Sequence, residues 1–112
     1  MYQCERTYKV DSDHSTLVKL QFTLSTDGSY LQQGYLSDQL VIEERGRYSQ
    51  TGDLLTYRDR FERRLSSETQ LWGAWKTPDS GTEDSDRVRN VTGTTFQVYD
   101  KREKNWYTFS RL

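Results

Sequence analysis

Three charged residues stand where the sequence otherwise reads as apolar. Around the stretch EERGRYSQTGDLLTYRDRFERR, which runs from Glu43 to Arg64, every second residue gives Leu40, Ile42, Glu44, Gly46 and Tyr48 on one arm. The other arm gives Leu55, Tyr57, Asp59, Phe61, Arg63 and Leu65. A two-residue turn at Thr51-Gly52 sets Glu44 opposite Asp59, Ile42 opposite Phe61 and Tyr48 opposite Leu55. Opposed residues of an antiparallel pair hold their Cβ atoms about 4.5–5.5 Å apart. Two carboxylates that close repel, and one gains a raised pKa unless a cation intervenes. Arg63, four residues along from Asp59 on the same face, is one such cation, and Arg111 on the last strand is another. Three roles follow. The charges sit at the solvated mouth of a barrel, they form a buried ion-pair network that fixes register, or they bind a polar ligand group or perform acid–base chemistry. Structural ion-pair networks also shift pKa values, so the pairing by itself does not select catalysis.

Other chemistry has less support. His14 is the single histidine and lies in the polar stretch DSDHST. Asp11, Asp13 and His14 make at best a weak metal site, because a histidine without a second histidine or a cysteine nearby is a poor ligand set. No serine–histidine–acid set, nucleophile elbow or phosphate-cradling glycine loop is present. The acidic run Gly81 to Asp84 lacks calcium-loop spacing and reads as a loop. Cys4 is the only cysteine, so no disulfide closes within the chain. MYQC also lacks the small residue that precedes a lipid-modified cysteine. Asn90-Val91-Thr92 fits the glycosylation acceptor pattern, which matters only in a secreted eukaryotic protein. These residues imply no metal, no cofactor and no catalytic set beyond a weak reading for Glu44 and Asp59.

The elements that must position these residues are strands. Period-2 patterning dominates, with turn signals about every ten residues, which marks an all-β sandwich or barrel. TLVKLQFTLS places Val18, Leu20, Phe22 and Leu24 on one face. A hairpin turn at Asp27-Gly28 then pairs Leu24 with Leu31 and Phe22 with Gln33. Further strands run from about Gln39 to Gln50, from Leu54 to about Leu65, and over TQLWGAW (Thr69 to Trp75). Trp72 and Trp75 would point to opposite faces of that last strand. KTPDSGTEDSD (Lys76 to Asp86) is the clearest loop, and RVRNV, TTFQVYD and WYTFSRL complete the set. MYQCERTYKV is a weaker strand. RDRFERRLSSE can be read as a helix, but Leu55, Tyr57, Phe61 and Leu65 hold the strand period. About eight short strands joined by hairpins imply an antiparallel up-and-down meander closed, or nearly closed, into a barrel.

Composition bounds the rest. At 112 residues the chain is the size of a single domain, taken here as 1–112. Only 32% of residues are hydrophobic, but 13% are aromatic and the net charge is -1, which argues against disorder. The near-neutral balance argues against a nucleic-acid partner. No apolar run is long enough for a transmembrane segment. No signal-peptide pattern is visible, which fits a cytoplasmic protein or a processed periplasmic or secreted form. A stripe on the other face of the hairpin (Glu43, Arg45, Arg47, Arg58, Arg60, Arg64) reads as a solvated strand face. Oligomeric state is not encoded in any of these patterns.

Three segments carry a family resemblance. They are FTLSTDGSY, then ERGRYSQTGDLL with its glycine-x-tyrosine strand and glycine turn, then the closing TTFQVYDKREKNWYTFSRL. In that order and spacing, over most of Thr16 to Leu112, the chain resembles a small bacterial lipocalin-like (calycin) domain. The opening Gly-x-Trp signature of that family is absent, and MYQCERTYKV stands there instead. The resemblance implies a barrel whose cavity takes a small apolar or amphipathic ligand without catalysis. Phe22, Tyr35, Ile42, Tyr57, Phe61, Phe96 and Phe109 are the expected lining, with Glu44, Asp59 and Arg63 as polar contacts. The alternative is a structural or interaction module whose barrel is filled by its own side chains.

Overall fold

The computed structural model describes residues 1–9, 15–101 and 103–112, and for 5–9 and 15–17 the backbone alone. Asp11, Asp13 and His14, the weak metal reading, lie outside the described residues. The strands are β1 (Tyr2–Lys9), β2 (Ser15–Leu24), β3 (Ser29–Leu36), β4 (Gln39–Thr51), β5 (Leu54–Arg64), β6 (Asp84–Arg89), β7 (Thr95–Asp100) and β8 (Asn105–Arg111). All neighbours pair antiparallel in meander order. β1 pairs β8 through Tyr2 with Arg111 and Gln3 with Ser110, so the sheet closes into a barrel. The weak opening strand is therefore the one that removes the free edges. No helix occurs among the described residues, and RDRFERR belongs to β5.

The turns differ from the expected ones in ways that backbone geometry explains. Phe22 pairs with Gln32 and Leu24 with Tyr30, not Gln33 and Leu31. The β2–β3 loop has three residues, closed by a Ser25 N–H bond to the Ser29 carbonyl. Gly28 takes φ +88°, as the last residue of such loops requires, and the Asp27 carboxylate accepts the Ser29 N–H. The β4–β5 turn is Gly52-Asp53, one residue later than expected, with Thr51 opposite Leu54. Gly52 at φ +60° is the first central residue, the position at which a type II′ turn needs glycine.

A β-bulge then resets the same hairpin. Arg47 pairs with Arg58 but Arg45 pairs with Phe61, so Gly46 on β4 faces two residues of β5. Asp59 sits in the left-handed region at φ +53°, which aspartate tolerates better than most residues. The extra residue reverses the faces of β5 beyond it. Leu55 and Tyr57 are buried before the bulge, and Arg60 and Glu62 are buried after it. The strict alternation expected through Asp59, Phe61 and Arg63 therefore fails, and Glu44 does not oppose Asp59 but Glu62. TQLWGAW is also not a regular strand. It is bridged by Trp72 to Leu65, just past the end of β5, and Lys76, the residue after it, bridges Glu62 of β5.

The middle of the barrel is filled. Phe22, at 1% exposure, packs against Tyr30, Tyr57, Phe96 and Phe109 with ring centroids 5.8–6.5 Å apart. Phe96 and Phe109 stack at 5.2 Å with an interplanar angle of 6°. Each such aromatic pair contributes roughly 0.5–1.5 kcal/mol beyond its area. That suits a domain whose apolar fraction is small. The bulge gives a direct test. A Cβ on Gly46 would lie 2.5 Å from the Arg58 carbonyl oxygen and 3.0 Å from the Tyr30 ring. Gly46→Ala is expected to destabilise by about 1–3 kcal/mol. Gly93→Ala, with nothing within 4 Å, should stay within about 0.5 kcal/mol. Urea unfolding midpoints compare the two.

Candidate functional site

The reversal of β5 brings Arg60, expected on the outer stripe, into the barrel beside Glu44. Its Nη2 donates to Glu44 Oε1 at 3.0 Å, and the side chains are 7% and 14% exposed. The Tyr30 hydroxyl donates to Glu44 Oε2 at 2.9 Å. Arg60 Nη1 donates to Ser80 Oγ at 3.0 Å and to the Gly81 carbonyl at 3.2 Å, while Asp84 stands at 3.9 Å. One guanidinium thus ties β4 and β5 to the segment that leads into β6. Burial weakens its hold on the proton, but the hydrogen bond and charge of Glu44 more than offset this, so its pKa stays above the ordinary value. Burial and the Glu44 charge push the Tyr30 phenol well above the usual tyrosine range.

Two hollows border each other at the end of the barrel where β7 turns into β8. The larger, about 250 Å³, has Leu20, Val98, Tyr107 and Phe109 as apolar walls, with Asp84, Asp86, Asp100 and Lys101 as polar lining. The smaller, about 200 Å³, shares Leu20 and Gln32 with it and adds Gly34, Ile42 and Glu44. A Cβ at Gly34 would meet Ile42 at 2.6 Å, so the glycine keeps this second hollow's wall in place. Both volumes far exceed the ~15 Å³ that one water needs. Asp86 points from β6 into the larger hollow, where it accepts a hydrogen bond from the Tyr57 hydroxyl at 2.7 Å. Burial raises the Asp86 pKa, and the Tyr57 bond works in the opposite direction. Burial, then the Asp86 charge, holds Tyr57 far above the tyrosine range, so it remains a donor. A third hollow of about 90 Å³ at the opposite end lies among Leu24, Tyr48, Leu55, Val88 and Phe96.

The expected lining residues divide accordingly. Phe22, Tyr57 and Phe96 belong to the central core, Phe109 joins that core to the larger hollow, and Ile42 and Glu44 line the smaller one. Tyr35, Asp59, Phe61 and Arg63 do not face the interior. Tyr35 is on the side of Gln21, whose amide oxygen accepts its hydroxyl at 3.4 Å, and Lys19 lies over its ring. Phe61 is 44% exposed and Asp59 is exposed, both turned outward by the bulge. Arg111 is exposed and does not reach in. Arg63 binds Glu43 on the outer face, through Nε at 2.9 Å and through Nη2, and Gln33 donates to the other Glu43 oxygen at 2.9 Å. Trp72 and Trp75 both stack on the Arg63 guanidinium, at 4.7 and 4.9 Å, and so share one side.

Sequence reasoning missed Arg60 and Asp86. Gly46 inside a strand was the available signal for Arg60, because an isolated strand glycine marks a bulge or a close backbone approach. Asp86 had no comparable signal, since it stands within an acidic loop-like run. Among the described residues no group of three histidine, cysteine, aspartate or glutamate side chains could hold a metal ion. No protein-family model matches the chain, and no curated protein matches its sequence.

The two carboxylate sites should respond differently to substitution. Arg60→Leu leaves Glu44 buried without its cation and is expected to cost about 3–5 kcal/mol. Lys19→Gln, which removes the pair to the exposed Asp38, should cost under about 1 kcal/mol. Denaturant titration separates the two cases. For Asp86 the raised folded pKa means that the protonated form favours the fold. That contribution is present below the ordinary value of 3.8 and is lost as pH rises through the folded pKa. Asp86→Asn is therefore expected to match or exceed the parent in stability at pH 7. Any advantage should vanish below pH 3.8, read from unfolding midpoints across that range.

Proposed function

We propose that this chain binds a small amphipathic molecule in the hollow at the β7–β8 end of the barrel and performs no reaction on it. The observation that carries this reading is a cavity of about 250 Å³ with apolar walls from three strands, β2, β7 and β8, and a polar lining that includes Asp84, Asp86, Asp100 and Lys101. Ligand sites of this kind combine mostly hydrophobic walls with a few placed polar groups. The closed eight-stranded meander supports it, because barrels of about eight strands hold one small ligand. The resemblance to lipocalin-like domains points the same way. Compared with the expected barrel cavity, the proposed site lies towards one end, since the aromatic cluster around Phe22 occupies the barrel's middle. That cluster favours a second reading, a structural module with a filled interior.

Leu20 borders both hollows, so a larger side chain there tests the choice. With a hydrophobic reporter dye and a panel of short-chain amphiphiles, the parent chain should show saturable binding. Leu20→Trp should weaken it by about tenfold, while Phe61→Ser on the outer face should leave it unchanged. Absence of saturable binding across alcohols, acids and amines would favour the filled module.

A further inference from the structure

We infer that the molecule held in the larger hollow is an organic cation, an amine with a short apolar body; this rests on the binding reading above. The walls argue for the apolar part: Leu20, Val98, Tyr107 and Phe109 offer no fixed charge. The charge argument rests on which carboxylates are already matched. Glu44 has Arg60 and the Tyr30 hydroxyl. Asp84 stands on the rim, its side chain 49% exposed and 3.9 Å from Arg60. Asp100 accepts the Glu103 N–H in the β7–β8 turn. Asp86 is different. It lines the hollow from β6, partly buried, and its one hydrogen bond among the described residues comes from a neutral donor, Tyr57. No ion pair to Asp86 occurs among the described residues, and a carboxylate has room for about four acceptor contacts.

A desolvated carboxylate with one neutral donor is an unfavourable arrangement unless something completes it. Lys101 lines the same hollow and its charge acts on Asp86 from a distance, but it is exposed at the turn and makes no ion pair with it. Arg60 is held by Glu44, Ser80 and Gly81 through its Nη atoms, while its Nε is buried without a partner among the described residues. An ammonium beside Asp86 would make charge-assisted hydrogen bonds, stronger than neutral ones, and would lie near the rings of Tyr107 and Phe109. An anion would face Asp84, Asp86 and Asp100 against the single Lys101. A neutral molecule would leave Asp86 as incomplete as before. A bare divalent ion fits less well, because no three carboxylates or other ligands converge here among the described residues.

Isothermal titration of the full chain with octylamine, octanol and octanoate at neutral pH tests the inference. The three probes share an apolar tail and differ in head charge. Octylamine should bind at least about tenfold more tightly than octanol, and octanoate should bind most weakly. Asp86→Asn should bring octylamine down towards octanol. Asparagine keeps the shape and still accepts the Tyr57 hydroxyl. Should that variant not fold, Asp84→Asn on the exposed rim should narrow the ratio by a few-fold. Octanol binding as tightly as octylamine, or a ratio unmoved by either variant, would overturn the cationic preference while the binding reading stands. Failure of all three probes to bind would remove both.

Discussion

At Gly46 the β4 backbone approaches β5 so closely that a single added carbon would lie 2.5 Å from the Arg58 carbonyl. The remaining arrangement follows from that approach. With Gly46 opposite two residues, β5 gains one position at Asp59, and each side chain beyond it changes face. Tyr57 is inside and Arg60 is inside, though they are three positions apart and strict alternation would put them on opposite faces. Without the bulge, Phe61 and Arg63 would be directed into the barrel, and Arg60 into solvent. Glu44 would then face Phe61 and lose the Arg60 guanidinium that it meets inside.

The bulge also explains how two adjacent glutamates are both neutralised. Glu43 and Glu44 point to opposite faces of β4, as successive strand residues do. Each meets an arginine from β5, Glu43 with Arg63 outside and Glu44 with Arg60 inside. The outer pair is covered by Trp72 and Trp75, whose rings stack on Arg63, and Arg45 lies 4.2 Å from the Trp75 ring. The inner pair is extended by Ser80 and Gly81. Through these contacts the long irregular connection between β5 and β6 is anchored on both faces of one strand. It does so with few apolar residues, in keeping with a chain that is 32% hydrophobic.

Inside, the barrel is layered. An aromatic cluster closes the middle, and hollows remain at the ends. The layering changes what a ligand can meet. It cannot thread the barrel, and it finds an apolar wall on one side and the β6 carboxylates on the other. The tyrosines are the link between these layers, since Tyr30 and Tyr57 pack their rings in the core while their hydroxyls reach Glu44 and Asp86. Amphipathic side chains allow a small domain to carry charge next to its core with a hydroxyl donor for each carboxylate.

Much of this was legible in the residues. Period-2 patterning and regular turn signals determined an all-β meander, and the absence of long helical periods left little else. The buried positions of Phe22, Tyr57, Phe96 and Phe109 also follow from local alternation, which needs no knowledge of neighbours. The candidate site was less legible. Alternation carries a face assignment only as far as the next inserted residue, and one residue reverses everything after it. Gly46 marked that something approached closely but did not say which strand would take the extra residue. The β4–β5 turn fell at Gly52-Asp53 because positive φ was needed at the first central position, and the strand pairing fixed which residue that was. Tertiary closure alone decided that Arg60 meets Glu44, that Arg63 meets Glu43, and that Asp86 faces a hollow with a tyrosine as its partner. Those outcomes depend on contacts between residues 16 to 29 positions apart, and no local period encodes them.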